Sequence, residues 1–150
     1  MISCILAVPC GHLKLTEENG FITASDWTEE APFPAETALL KKAEKELEEY
    51  FKGKRKTFDL PVQPKGTAFE KDVWSVLEKI PYGHLMTYGE IAKEIGRPKA
   101  SRAVGNACGK NPVCVIIPCH RVVGKNNDGG YSNGMKYKYA LWKEEGIERK

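Results

Sequence analysis

The 150-residue chain has no apolar run approaching the roughly 18 residues that a membrane-crossing helix requires. Its start, Met1 to Val8, has no basic segment ahead of its apolar residues, so neither secretion nor membrane insertion is expected. A disulfide framework is missing too: five cysteines are an odd number at irregular spacing. That usage suits a reducing compartment, and the expected location is the cytoplasm. Cys4, Cys10 and His12 could ligate a metal, but three ligands at that spacing fall short of a zinc motif, so no metal site is expected. Charge of one sign is also scarce. The formal net charge is +3, far from the basic footprint that would by itself indicate a nucleic-acid binder.

The charge that is present is unevenly placed. Residues 1–65 carry 9 basic and 11 acidic side chains, whereas residues 66–150 carry 14 and 9. A net-positive second half suits a polyanionic partner met by one face. With 41% apolar and 29% charged residues, the chain has the composition of one medium domain or two small packed ones.

Apolar runs at Ile2–Val8, His12–Leu15 and Gly20–Ala24, separated by Gly and Asn, predict a small antiparallel meander. Between Pro34 and Lys52, residues Ala38, Leu39, Ala43, Leu47, Tyr50 and Phe51 recur near helical spacing, which predicts a helix with a solvated charged face. Residues 54–66, with Pro61 and Pro64, read as an extended connection. The expected organisation is therefore a sheet-and-helix domain over 1–57, a linker over 58–66 and a second domain over 67–150.

In that second domain Thr67-Ala68-Phe69-Glu70 has the form of a capping box. Phe69, Val73, Val76, Leu77 and Ile80 make one apolar stripe, with Trp74 beside it. A second capping-box pattern, Thr87 to Glu90, opens a short helix through Ile95 that Gly96 should end. Pro98 suits the first turn of a following helix, about Lys99 to Gly109. The small residues Ala100, Ser101, Ala103, Gly105 and Ala107 would let that helix approach another surface closely, although tight packing against neighbouring helices explains them equally well.

The stretch Val113 to Ile117 leads into Pro118-Cys119-His120-Arg121-Val122, which reads as a cysteine beside a histidine at the end of a buried strand. A thiol attacks as thiolate, and a nearby imidazole is a usual means of stabilising that anion. A lone Cys–His pair is more often a small buried cysteine next to a satisfied histidine. Adjacent side chains on a strand point to opposite faces, so His120 could serve Cys119 only through a bridging water or a turn at this point.

The surroundings favour the reactive reading. In order, the chain holds Pro81-Tyr82-Gly83, Thr87-Tyr88-Gly89-Glu90-Ile91-Ala92 and Ser101-Arg102-Ala103-Val104-Gly105-Asn106-Ala107. Asn111-Pro112, Pro118 to Val122 and Gly129-Gly130-Tyr131-Ser132 follow. This series closely resembles the O6-alkylguanine-DNA alkyltransferases, also called methylated-DNA-protein-cysteine methyltransferases, strongly over roughly residues 58 to 146 and weakly before them.

The resemblance implies an α/β (α+β) fold. Its N-terminal part would be a small three-stranded antiparallel sheet with a helix, ribonuclease H-like, and its C-terminal part a mainly helical domain with a helix-turn-helix. The implied activity is irreversible, stoichiometric transfer of an alkyl group from O6 of guanine in double-stranded DNA to Cys119, with O4 of thymine left open as a second substrate atom. By the same resemblance His120 and Glu145 form a proton relay, Tyr88 donates to the base and lies against the DNA backbone, and Asn111 pins the turn before the active-site segment. Cys119 and Val122 carbonyls would face the exocyclic amine, Tyr131 would wall the pocket, and the Ser132 amide would lie near O6. Tyr88, Ala100, Ser101, Arg102, Ala103 and Gly105 would meet the minor groove, with Arg102 filling the space left by an extruded nucleotide.

No cofactor and no membrane are implied, and a monomer is expected. A thioether is a poor leaving group, so each molecule would act once. Cys114, Asn106 and Asn133 depart from the usual family pattern and bear on how large an O6 substituent fits. Two other classes share parts of the pattern. A sensor that holds alkylguanine without reacting would lack the nucleophile, and a Cys–His hydrolase would not need the helix bearing Arg102.

Overall fold

The computed structural model describes residues 1–149, which divide into two compact units. The first comprises residues 1–65 together with 112–116, and the second holds the remainder.

In the first unit, β1 (Ile2–Val8), β2 (Gly11–Glu18) and β3 (Phe21–Thr28) form the expected antiparallel meander in the order β1-β2-β3. Asn19 and Gly20, at φ 52° and 82°, make the two-residue turn between β2 and β3, a positive-φ pair whose twist matches that of the strands it joins. Helix α1 (Ala38–Phe51) begins where Thr37 accepts from the Leu40 amide at 3.1 Å, and it packs across all three strands. Leu40, Ala43, Leu47 and Tyr50 are buried on the helix, as are Cys4, Ile5, Leu13, Leu15 and Ile22 on the strands it packs against. Leu40 thus holds the position that spacing gives to Leu39, and Ala38 is exposed. The edges of the sheet are covered by single bridges, Ile5 with Phe33 on β1, and Ile22 with Val62 and Ser25 with Val113 on β3, which hides unpaired backbone from other chains.

The expected strand at Val113–Ile117 is not formed. Ser25 donates its amide to Pro112 O at 2.9 Å and accepts from the Cys114 amide at 2.8 Å, but the ladder stops there. Val115 turns to φ 70°, and the Ile116 amide donates to Cys114 O across it at 2.8 Å. A three-residue turn around a positive-φ, β-branched residue is rare and strained. Burial on every side made this run look like a strand: Val113, Cys114, Val115, Ile116 and Ile117 are all buried, and an apolar turn gives the same composition as a buried strand.

The second unit contains α2 (Ala68–Leu77), β4 (Met86–Thr87), α3 (Tyr88–Glu94), α4 (Ser101–Gly109), a 3-10 turn at Cys119–Arg121, β5 (Val122–Val123) and α5 (Met135–Glu145). Both capping boxes form: Thr67 with Glu70 opens α2, and Thr87 with Glu90 opens α3. Val73, Trp74, Val76, Leu77 and Ile80 are buried, while Phe69 is only half-buried. Trp74 fixes α2 to α4 by donating from Nε1 to Ala107 O at 2.8 Å, so an indole in the apolar stripe satisfies its one donor. β4 and β5 pair in parallel, Met86 with Val122 and Thr87 with Val123, which brings the start of α3 beside the segment that follows Cys119.

Pro98 does not enter α4. The Ala100 amide donates to Arg97 O at 2.9 Å, closing a four-residue turn with Pro98 in its second position, and the helix starts at Ser101. The fixed φ of proline suits that turn position as well as it suits a first helical turn.

Candidate active site

Cys119, His120 and Arg121 form the 3-10 turn, and all three are buried. Pro118, at φ −81° and ψ 66°, sits inside a tight turn closed by the Cys119 amide donating to Ile117 O at 2.8 Å. Two consecutive turns, rather than the end of a strand, therefore present the cysteine. A turn at this point is one of the two arrangements, a bridging water being the other, that would let His120 serve Cys119. Asn111 donates from Nδ2 to Ile117 O at 2.8 Å, holding the segment just before this turn.

His120 is fully enclosed. Its Nε2 lies 2.7 Å from Glu145 Oε2, and its Nδ1 is buried with no protein partner among the described residues. Arg121 donates from Nε to Glu145 Oε1 at 2.8 Å and from Nη2 to Oε2 at 3.0 Å, while Nη1 reaches Ile80 O at 2.7 Å. The Gly83 amide adds a fourth donor to Glu145, at 3.0 Å from Oε1. Burial by itself would raise the Glu145 carboxyl, but hydrogen bonds from His120 and Arg121, together with the Arg121 charge, hold it well below the usual carboxylate range. Burial lowers His120, against the pull of Glu145. The carboxylate is already balanced by the Arg121 guanidinium, so the imidazole stays neutral, with its proton on Nε2 and its lone pair on Nδ1. Trp142 Nε1 donates to His120 O at 2.6 Å and fixes the backbone of the same residue.

Tyr88 opens α3 with its ring beside Gly105 of α4, and its hydroxyl accepts from the Gly130 amide at 3.2 Å. Gly129, at φ 70°, lies so close that a Cβ there would run into the Tyr88 hydroxyl. The loop between β5 and α5 is thus placed against Tyr88 by backbone that tolerates no side chain. Ser132, beyond it, donates from Oγ to Gly109 O at 2.5 Å, which links the loop to the end of α4. Tyr131 is half-buried, and Val122 is buried with its carbonyl accepting from Lys138 at 2.7 Å. On α4, Arg102 and Ala103 are exposed, Ser101 and Gly105 are half-buried, and Val104, Ala107 and Cys108 turn inward. Ala100 caps the helix, also half-buried.

Lys138 escaped the reading of the sequence. Its side chain is buried, and its ammonium donates to the carbonyls of Val122 at 2.7 Å, Asp128 at 2.7 Å and Gly130 at 3.0 Å. Burial pushes it down to about 8, although the charges of Cys119, Cys108 and Asp128 favour the cation. At neutral pH it is a buried positive charge in the field of Cys119, which favours the thiolate. The same surroundings push the Cys108 thiol up to about 12, through burial first and Cys119 second, so Cys108 stays a protonated, weakly reactive thiol. A signal for Lys138 was available: Lys138, Leu141, Trp142 and Glu145 lie at helical spacing on one face of α5, and all four are buried. Arg121 carried no comparable signal, because its role depends on the position of Glu145, which is 24 residues away.

Comparison with known proteins gives one answer. The family profile for the 6-O-methylguanine DNA methyltransferase, ribonuclease-like domain, matches residues 4–64, and that for the 6-O-methylguanine DNA methyltransferase, DNA binding domain, matches residues 68–147. The methylated-DNA--protein-cysteine methyltransferase of Methanosarcina acetivorans is 50% identical over 121 residues, covering 80% of this chain and 74% of that protein. The constitutive enzyme of that name from Bacillus subtilis is 44% identical over 129 residues, covering 79% and 78%. Among solved structures, Mycobacterium tuberculosis OGT in complex with DNA aligns with a TM-score of 0.87 at 36% identity, covering 96% of this chain and 92% of that one. The two profiles are the two halves of a single class, the cysteine methyltransferases directed at 6-O-methylguanine in DNA. The chain belongs to the 6-O-methylguanine DNA methyltransferase family.

Proposed function

We propose that this protein repairs double-stranded DNA directly, by moving the alkyl group of O6-alkylguanine onto Sγ of Cys119. The observation that carries the assignment is the state of His120: Glu145 holds its Nε2 at 2.7 Å, leaving a buried Nδ1 acceptor on the residue next to the thiol. The Cys119 proton passes to His120 Nδ1 through a bridging water, and the thiolate attacks the alkyl carbon. The S–C bond forms as the C–O6 bond breaks, with the electron pair leaving on the guanine. Lys138 supports the thiolate, and Tyr88, whose oxygen accepts from Gly130, keeps its own proton to donate to the departing base. Asn111 is a positioning residue, because its bond to Ile117 O sets the turn that displays Cys119.

A stacked base cannot present its O6 substituent to a buried thiol, so the nucleotide must be extruded. The segment α3–turn–α4 acts as a helix-turn-helix that meets the minor groove through the face of α4 holding Ala100, Ser101, Arg102, Ala103 and Gly105, with Arg102 taking the place of the extruded nucleotide. Cys119, Val122, Tyr131 and Ser132 line the pocket that receives the base, a reading supported by the bonds from Lys138 to Val122 O, from Ser132 to Gly109 O and from the Gly130 amide to Tyr88. In this reading residues 1–57 form a ribonuclease H-like domain, 58–66 a linker and 67–150 the reacting domain. The product thioether has no leaving tendency, so each monomer acts once, in the cytoplasm, without a cofactor.

The test is the intact mass after incubation with a duplex carrying one O6-methylguanine, with Cys119→Ser in parallel. A methyl group gained in place of one hydrogen, mapped to Cys119 and absent from the variant, is the expected result. An unchanged mass with tighter binding to the modified duplex would assign the protein to non-reacting damage sensors instead.

A further inference from the structure

Helix α5 ends at Gly146 in the left-handed region, φ 72°, with the Ile147 amide donating back to Trp142 O at 2.8 Å. Ile147 is buried in a small cluster with Val123 and Trp142, and Leu85 packs against it. This reversal carries Arg149 to the loop between β5 and α5. There its Nη2 donates to Gly124 O at 2.8 Å and Lys125 O at 3.1 Å, its Nη1 donates to Asn127 O, and Nη1 lies 3.7 Å from Asp128 Oδ1. One guanidinium thereby gathers three carbonyls from four consecutive residues, in charge-assisted bonds that fix direction as well as distance.

The far end of the same loop is the wall placed against Tyr88. Asp128 O and Gly130 O accept from Lys138, Asp128 Oδ2 accepts from the Tyr139 hydroxyl at 2.8 Å, and the Gly129 amide donates to Asn127 Oδ1 at 2.9 Å. Asn127 and Asp128 are thus held from one side by Arg149 and from the other by groups that set Gly129 and Gly130 beside the Tyr88 hydroxyl.

We infer that Arg149 is a positioning residue for alkyl transfer: it clamps the 124–128 segment so that Gly129, Gly130, Tyr131 and Ser132 hold the shape of the base pocket before substrate arrives. The inference rests on the reading of this loop as the pocket wall. Arg149 touches neither substrate nor Cys119 and acts through the loop alone, so its effect does not depend on whether the alkylated guanine arrives in a duplex or as a free base.

The experiment compares Arg149→Ala, Arg149→Lys and the unaltered protein in transfer from O6-methylguanine duplex and from free O6-alkylguanine base, at two salt concentrations, with thermal unfolding measured on the same samples. Arg149→Ala should slow transfer about tenfold or more on both substrates by similar factors, because displaced pocket groups lose their alignment. Arg149→Lys should recover part of the rate, since an ammonium retains some of the carbonyl contacts without the fork. The salt dependence of the duplex reaction should be unchanged. A loss confined to the duplex, with a weaker salt dependence, would make Arg149 a phosphate contact and overturn the inference. So would unchanged rates on both substrates with only a lower unfolding temperature. Transfer by the unaltered protein is the control for the underlying activity: its failure would count against the alkyltransferase reading, whereas failure of the variants to differ from it counts against the clamp.

Discussion

Arg121 grips both oxygens of Glu145, from Nε at 2.8 Å and from Nη2 at 3.0 Å. Because this pair neutralises the carboxylate, His120 can donate to Glu145 while remaining uncharged itself. Arg121→Met would leave Glu145 anionic and enclosed with His120 as its only ionisable neighbour in the triad. His120 should then be protonated more readily, and the acid limb of the transfer-rate profile should move toward the ordinary histidine value of 6.5. Breaking a buried pair costs about 3–5 kcal/mol, so the profile is best measured at low temperature on protein verified as folded. An acid limb that stays in place would show that Arg121 does not set the state of His120.

The same triad should make the protein acid-labile. Burial holds His120 below its ordinary 6.5, so beneath that pH the unfolded chain takes up a proton that the folded one refuses, and stability falls as pH drops. Glu145 is held below its ordinary 4.5 despite its burial, so its contribution is present above that value and is lost as pH falls toward its folded value. Both contributions run in one direction. Urea midpoints should decline from about pH 7 to well below pH 4, and His120→Asn should flatten the part of that slope above the Glu145 range while leaving the part below about pH 4.5.

Gly129 and its neighbour Gly130 offer a matched pair of substitutions. A Cβ at Gly129, whose φ is 70°, would collide with the Tyr88 hydroxyl and come within 3.3 Å of Lys138 Nζ, while a Cβ at Gly130 would meet nothing within 4 Å. Gly129→Ala should cost about 1–3 kcal/mol in backbone strain and slow transfer, because Tyr88 must move. Gly130→Ala should leave stability close to normal and move Tyr88 less. Denaturation midpoints and single-turnover rates on the two variants check this, and equal effects would remove the close approach as the cause.

Much of the architecture was legible because its signals are local. The Gly and Asn breakers between apolar runs marked the meander, the two Thr-x-x-Glu patterns marked the starts of α2 and α3, and the apolar stripe of α2 marked its buried face. In each case a few neighbouring residues satisfy the backbone groups that decide the conformation. Where two local solutions shared one composition, the reading failed. Val113–Ile117 fits either a buried strand or a buried turn, and Pro98 fits either a helix start or the second position of a turn.

The catalytic candidates divide in the same way. Cys119, His120, Tyr88, Asn111 and Arg102 were named from motifs in the chain, and Glu145 from its place in Glu144-Glu145-Gly146. That His120 is held neutral against Glu145, that Arg121 balances Glu145, and that Lys138 places a buried cation near Cys119 could emerge only once residues from the 3-10 turn and from α5 shared one enclosed space. The sequence by itself determined which reactive groups the protein owns and the local elements that carry them, since backbone capping and side-chain periodicity act over a few residues. Tertiary structure decided their protonation and charge, because desolvation and ion pairing depend on neighbours that are distant in the chain and adjacent only in the fold.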